Sequence, residues 1–274
     1  ALERKLVEAE QQGRLPKGVV AGHLCGQPCD MQAIGALAKR FGFAVIEDAS
    51  HAIGGRYQGD YVGSGRFSDI TIFSFHPVKV ITTAEGGMAV TNDESLAARM
   101  ALYRSHGITR DPALMVGESD GPWYYQQIEL GFNYRMTELQ AALGVSQLAR
   151  LDDFVARRHA LARRYDQLLA ALPVTCPWQH PDSYSGLHLY PIRLQLGRIA
   201  LSHCEVFEQL RERGIGVNLH YIPVHTQPYY AAMGFAADDF PQSMAYYREA
   251  ISLPMYHSLT EAQQDEVVTV LAGV

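Results

Sequence analysis

Phe43-Ala44-Val45-Ile46-Glu47-Asp48, an apolar run ending in two carboxylates, lies between a helical stretch, Met31 to Phe41, and a second apolar run, Ile70 to Phe75. A further short apolar segment, Val19 to Gly22, precedes the helical stretch. Short apolar runs bounded by turn residues and separated by 3.6-residue periodicity predict a βαβ unit, and with it a parallel sheet. A fourth strand is expected at Met88 to Val90, ahead of a helix that Asn92 or Asp93 caps. Open sheets of this kind gather ligands at the carboxyl ends of their strands. Asp48 falls at one such end, and the turn from Ser74 to Lys79 at another.

Further along, Thr137 to Leu172 reads as almost continuous helix, with Thr137 and Gln140 at capping-box spacing and Pro173 closing the run. Its arginines, Arg157, Arg158, Arg163 and Arg164, are expected on a solvated face. The remainder reads as α+β. A strand is predicted at His188 to Leu194, a helix capped by Ser202 with Glu205 and stopped near Gly214, a strand near Val217, and a last helix capped by Thr260 with Gln263. The expected division is a large domain over residues 1–150, a connecting helix over 151–174 and a small domain over 175–274.

With 274 residues, 47% hydrophobic and 19% charged, the chain has the composition of an ordinary α/β enzyme rather than a disordered tail or a coiled coil. A formal charge of -6 argues against a broad nucleic-acid surface but permits a local site for a small anion. The four cysteines form no CxxC pair and stand with no histidines at zinc-ligand spacing, so no metal is expected and a reduced, cytoplasmic setting is. No apolar run is long enough for a bilayer, and Ala1 to Gln12 lacks a signal peptide's apolar centre, so no membrane partner is expected.

Only four lysines occur against nineteen arginines, and Lys79 is the last of them. In Ser74-Phe75-His76-Pro77-Val78-Lys79 it leaves an apolar strand through a proline-punctuated turn. A partly desolvated amine there condenses with carbonyls, which arginine cannot do; an ordinary surface lysine is the other reading. Asp48 is placed to pair with a pyridinium nitrogen, or simply to cap the turn at Ala49 and Ser50. His51 is either a contact for a ligand near Asp48 or a satisfied loop histidine, and Ser74 offers a hydroxyl to a phosphate. Gly63 and Gly65 neither follow a strand nor open a helix, which argues against a dinucleotide loop. Gly86-Gly87 reads as a tight turn.

Glu47-Asp48-Ala49-Ser50-His51-Ala52, Phe73-Ser74-Phe75-His76-Pro77-Val78-Lys79, Thr82-Thr83-Ala84-Glu85-Gly86-Gly87 and Gly131-Phe132-Asn133-Tyr134-Arg135-Met136 occur in the order seen in the DegT/DnrJ/EryC1/StrS sugar aminotransferases, and the chain resembles that family over its whole length. Three further stretches, Gly26 to Met31, Tyr103 to Ile108 and His220 to His225, resemble the branch that aminates C4 of a nucleotide sugar for pseudaminic acid. The resemblance implies the α/β fold of the aspartate-aminotransferase type, fold type I, with an N-terminally incomplete large domain plus a small α+β domain. It also implies pyridoxal 5'-phosphate as cofactor and a homodimer with shared active sites. By the same resemblance, Lys79 holds the cofactor covalently, Asp48 partners its ring nitrogen, His51 lies near its phenolic oxygen and Ser74 binds its phosphate. Asn133 reaches the phosphate in the neighbouring subunit, and His220, Tyr221, Ile222 and Pro223 line the nucleotide-sugar pocket.

The expected activity is transfer of an amino group from an amino-acid donor, by resemblance glutamate, to C4 of a UDP-linked 4-keto-6-deoxy sugar. Some relatives replace the lysine with histidine and dehydrate sugars; this sequence keeps Lys79. It departs from the pattern at Ala84, where glycine is more usual, and the family's opening, phosphate-gripping portion has no counterpart before Ala1. A second expectation is therefore a truncated, non-catalytic fragment that dimerises or binds a nucleotide sugar but holds the cofactor poorly.

Overall fold

The computed structural model describes residues 1–274. A first helix, α1 (Leu2–Gln11), leads into β1 (Gly18–Gly22), α2 (Met31–Phe41) and β2 (Ala44–Asp48). The β1–α2–β2 unit forms because both ends of α2 are signalled locally. Asp30 accepts from the Ala33 amide at 3.1 Å at its start, and Gly42, at φ 73°, ends it in a left-handed turn. Leu6 of α1 and Met31 and Phe41 of α2 bury together against Ala21, Val45, Phe43 and Tyr57.

Next come β3 (Ile70–Ser74) and β4 (Gly87–Val90), and the sheet order is β1-β2-β3-β4. The first three strands are parallel, as expected, with Gly22 opposite Asp48 and Asp48 opposite Ile72. β4 departs from the parallel expectation and runs antiparallel to β3, pairing Ser74 with Gly87. Residues 75–86 contain no crossover helix. They fold back on themselves instead, the Phe75 amide donating to Gly86 O at 2.9 Å and the Thr83 amide to Phe75 O at 3.0 Å. Along β2 burial alternates, Val45 and Glu47 inward and Asp48 outward. The face carrying Asp48 is open, with Val20 64% and Ile72 40% exposed.

After α3 (Glu94–Arg104), the expected single helix is two: α4 (Glu138–Leu148) and α5 (Leu151–Leu168), broken at Ala149 and Arg150. Thr137 and Gln140 do form the capping box of α4. Asp152 and Asp153 fall in the first turn of α5, where acidic side chains favour a fresh helix start. Phe154 and Val155, near the start of α5, join a small core with Phe75, Val80 and Ile81. Leu161, Ala162 and Tyr165 enter an 18-residue core with Ile192, Leu210 and Ile251. That larger core is built from β5 (Tyr190–Leu194), α6 (His203–Glu212), β6 (Ala250–Leu253) and α7 (Glu261–Ala272), with capping boxes at Ser202 and Thr260. The strand expected near Val217 is reduced to one bridge, Asn218 to Ser252.

The solvated arginine face is also corrected. Arg158 is 6% exposed and its Nη1 donates to the carbonyls of Leu187 (3.0 Å), His188 (3.0 Å) and Met255 (3.1 Å). Arg157 donates to Leu259 O and Arg164 to Asp265, leaving Arg163 as the exposed member. The face of α5 they share meets the segments before β5 and after β6, so three of the four cations are used in joining them. No helix is long and apolar enough to cross a membrane.

Candidate active site

The open face of the sheet brings together residues from three separated segments. Asp48 ends β2 with its side chain exposed; Oδ1 accepts from the Ser50 amide at 3.1 Å, as a turn cap does, and Oδ2 has no partner in the chain. Lys79 lies half-buried in the turn after β3, its amide donating to His76 O at 3.0 Å, and its ammonium is in no ion pair. Burial pulls the Lys79 pKa below its ordinary value, and the nearby Asp48 carboxylate opposes this only in part. A half-buried amine near a carboxylate that does not lock it is available for carbonyl chemistry.

His51, in the turn after β2, is held from both sides. Its Nδ1 accepts from the Cys25 amide at 3.1 Å, and its Nε2 faces the Tyr221 hydroxyl at 3.3 Å. Burial first, then the Lys79 charge, lower its pKa to about 4. His220 donates or accepts at 2.8 Å with Ser252 Oγ, and burial followed by Lys79 lowers its pKa too. Tyr221 and His220 thus converge on His51 and Lys79 from the far end of the sequence, and Ile222, 50% exposed, and Pro223 follow them in the chain. Ser74 ends β3, its Oγ accepting from the His76 amide at 3.4 Å. Asn133 is not part of this group. It is exposed, forms a bridge with Ser105 and hydrogen-bonds to none of these side chains.

Beneath the sheet, Glu47 points away from the cleft and is 5% exposed. His23 Nε2 reaches its Oε2 at 2.8 Å, Thr71 donates to its Oε1 at 3.2 Å, and Ser68 donates to the same oxygen. Burial alone would raise the Glu47 pKa, but these bonds outweigh it and lower it. The network ties β1, β2 and β3 together one residue before Asp48, so the carboxylate projects from a stiff strand end.

Two residues that touch this cluster escaped the sequence reading, His188 through its ring and Cys25 through its main-chain amide. His188 is 4% exposed, its ring centroid lies 4.5 Å from that of His51, and its Nδ1 is buried without a partner. Burial, then the charges of His51 and Lys79, push its pKa down to about 2. Cys25 sits at φ 61°, a left-handed conformation uncommon for a side-chain-bearing residue. The only sequence signal for either was position: Cys25 stands just past β1, on the same sheet edge as Asp48, and His188 just before β5. The Ala84 departure is visible as well, since its φ of 67° is one that glycine adopts without strain.

The DegT/DnrJ/EryC1/StrS aminotransferase profile matches residues 2–272. The spore coat polysaccharide biosynthesis protein SpsC of Bacillus subtilis is 38% identical over 261 residues, 94% of this chain and 66% of SpsC. Among solved structures, Helicobacter pylori PseC, an aminotransferase involved in the biosynthesis of pseudoaminic acid, superposes with a TM-score of 0.85 at 30% identity over 94% of this chain and 66% of that one. Spr1654 of Streptococcus pneumoniae in its PLP-form gives 0.81 at 26% identity, over 94% of this chain and 69% of its own. The chain thus spans about two thirds of the length of the relatives it matches.

Proposed function

The chain belongs to the DegT/DnrJ/EryC1/StrS aminotransferase family, and from that premise we propose that it moves an amino group, from glutamate, to C4 of a UDP-linked 4-keto-6-deoxy sugar. The observation that carries the reading is the Lys79 amine, depressed in pKa and free of an ion pair, beside an Asp48 carboxylate with one unshared oxygen. Such a donor set fits pyridoxal phosphate: an amine for its carbonyl carbon, a carboxylate for its ring nitrogen, an imidazole for its phenolic oxygen and the Ser74 hydroxyl for its phosphate. When bound, the cofactor supplies an electron sink for negative charge on the carbon that loses a proton.

The chain's own groups do the rest. Lys79 holds the cofactor and carries the proton at the donor's α-carbon and at C4 of the sugar, work that a pKa lowered by burial favours. Asp48 keeps the ring nitrogen protonated from a strand end stiffened by Glu47 and His23. His220, Tyr221, Ile222 and Pro223 form the sugar-nucleotide wall, and Asn133, which hydrogen-bonds to none of these side chains, serves the phosphate of a second copy across a homodimer. The pseudaminic acid route is the sugar pathway favoured by the likeness to PseC, and a cytoplasmic setting is the one in which such nucleotide-sugar substrates are expected.

Titrating the purified chain with pyridoxal phosphate tests the core of this reading. We expect a visible absorption band that borohydride abolishes and that Lys79→Ala never shows. In Asp48→Asn the cofactor still binds but amino transfer to a UDP-4-keto sugar falls by orders of magnitude. Turnover by Lys79→Ala without added amine removes the assignment of Lys79, and near-normal activity of Asp48→Asn reduces Asp48 to a turn cap.

A further inference from the structure

The turn after β1 brings a main-chain group, rather than a side chain, to the edge of the cleft. Cys25 occupies the left-handed region at φ 61° and ψ 3°, a cost of about 1–2 kcal/mol for a residue with a side chain. The conformation is clamped from the other side of the molecule. The Gly186 amide donates to Gly26 O at 2.9 Å and the Leu189 amide to Cys25 O at 3.3 Å. Gly26 is pressed so close to this segment that an added Cβ would lie 2.6 Å from Leu187 N, 2.9 Å from His51 O and 3.0 Å from His188 N. Arg158 in turn grips the carbonyls of Leu187 and His188.

The clamped turn aims the Cys25 amide at His51 Nδ1. An N–H directed at a ring nitrogen requires a lone pair there, so in the neutral imidazole the proton sits on the other nitrogen. That nitrogen, Nε2, is the one facing the Tyr221 hydroxyl and the cleft. His188 closes the remaining side, its ring 4.5 Å from that of His51 and tilted by 50°. We propose that Cys25 is a positioning residue that fixes His51 as the Nε2–H tautomer, making it a dedicated hydrogen-bond donor to an anionic oxygen bound in the cleft. In this state Nε2 accepts no proton, so His51 is excluded as a general base toward the cleft and Lys79 is left as the proton carrier. The side chain of Cys25 takes no part; it turns away to line, with Tyr246, Trp178 and Gln27, a separate cavity of about 240 Å³. The meaning of this device for catalysis rests on the transferase reading above, but its geometry does not.

Long-range ¹H–¹⁵N spectra of the histidine-labelled chain at neutral pH, with His51 assigned by its loss in His51→Gln, test the inference without any cofactor. A bare Nδ1 and a protonated Nε2 are expected. Cys25→Gly and Cys25→Asn tolerate the left-handed backbone and keep the tautomer, whereas Cys25→Ile expels the turn from it and yields a mixture. Pyridoxal phosphate retention then falls roughly tenfold in Cys25→Ile, but by less than about threefold in His51→Gln, whose amide still donates. A protonated Nδ1 in the unaltered chain, or an unchanged tautomer in Cys25→Ile, overturns the proposal; if Cys25→Ile does not fold, the spectrum of the unaltered chain decides. A locked tautomer in a chain that shows no cofactor band removes the transferase reading and leaves this one standing, and the reverse pairing does the opposite.

Discussion

Burial at single residues sets how the cleft answers to pH. An unfolded histidine titrates near 6.5, while His51 is held down to about 4 and His188 to about 2, by burial first and by neighbouring cations second. Between 6.5 and 4 the unfolded chain binds more protons than the folded one, so stability rises with pH there. It is fully present above 6.5 and is lost as pH falls toward 4. Urea unfolding midpoints are therefore expected to be lower at about pH 5 than at about pH 7, and the difference is expected to shrink in His188→Phe. A midpoint independent of pH across that interval would mean both rings titrate normally. At Ala84 the prediction is local: Ala84→Gly relieves a left-handed φ of 67° and stabilises the chain by roughly 1 kcal/mol or less, after the added backbone entropy of the unfolded state. A loss of stability in a thermal melt would show that the strain is absorbed by the bonds of the Thr82 and Thr83 side chains around that turn.

Helix α5 does at the scale of one element what no single loop does. Its first turns enter the core that includes Phe75 and Val80, close to Lys79, and its later turns enter the core of Tyr190 and Ile251. Between them Arg158 satisfies three carbonyls in place of a carboxylate partner. Removing a buried cation that serves buried acceptors leaves those acceptors unpaired, so Arg158→Ala should cost about 3 kcal/mol in urea unfolding. Because two of the carbonyls belong to Leu187 and His188, the same variant should loosen the packing of His188 on His51. Arg163→Ala, on the exposed side of the same helix, should be close to neutral.

At the scale of the molecule, α4 and the segment before it present apolar side chains to solvent: Leu130 is 87% exposed, Leu139 85% and Val145 71%. Exposed apolar side chains in this number fit an interface, and the proposed occupant is a second copy of the chain. Asn133 lies in this same region, between the exposed Phe132 and Tyr134, and a residue acting on a partner's site is expected on such a surface. Mixing inactive Lys79→Ala with inactive Asn133→Ala and allowing subunits to exchange should restore about half of the sites in mixed dimers, because one site then carries both lesions and the other neither. If Asn133 acts within its own subunit, every site keeps one lesion and no activity returns.

Much of the fold was legible in local chemistry. Asp30 and Gly42 bracket α2, Thr137, Ser202 and Thr260 open their helices with capping boxes, and the apolar runs before Asp48 and Ser74 become strands, because caps, turns and periodicity act over a few residues and are written in consecutive letters. Those signals put Asp48, Ser74 and Lys79 at one edge of one sheet, and the ordered motifs pointed to the aminotransferase family. Local chemistry did not reveal the antiparallel return of β4, the break between α4 and α5, or the burial of Arg158. Each depends on which surface a segment meets after collapse. The contact between the Cys25 amide and His51 spans 26 residues, and that between His51 and Tyr221 spans 170. Such meetings follow from tertiary packing, which selects a strained turn and an inward-facing cation for the contacts they complete, and no periodicity along the chain encodes them.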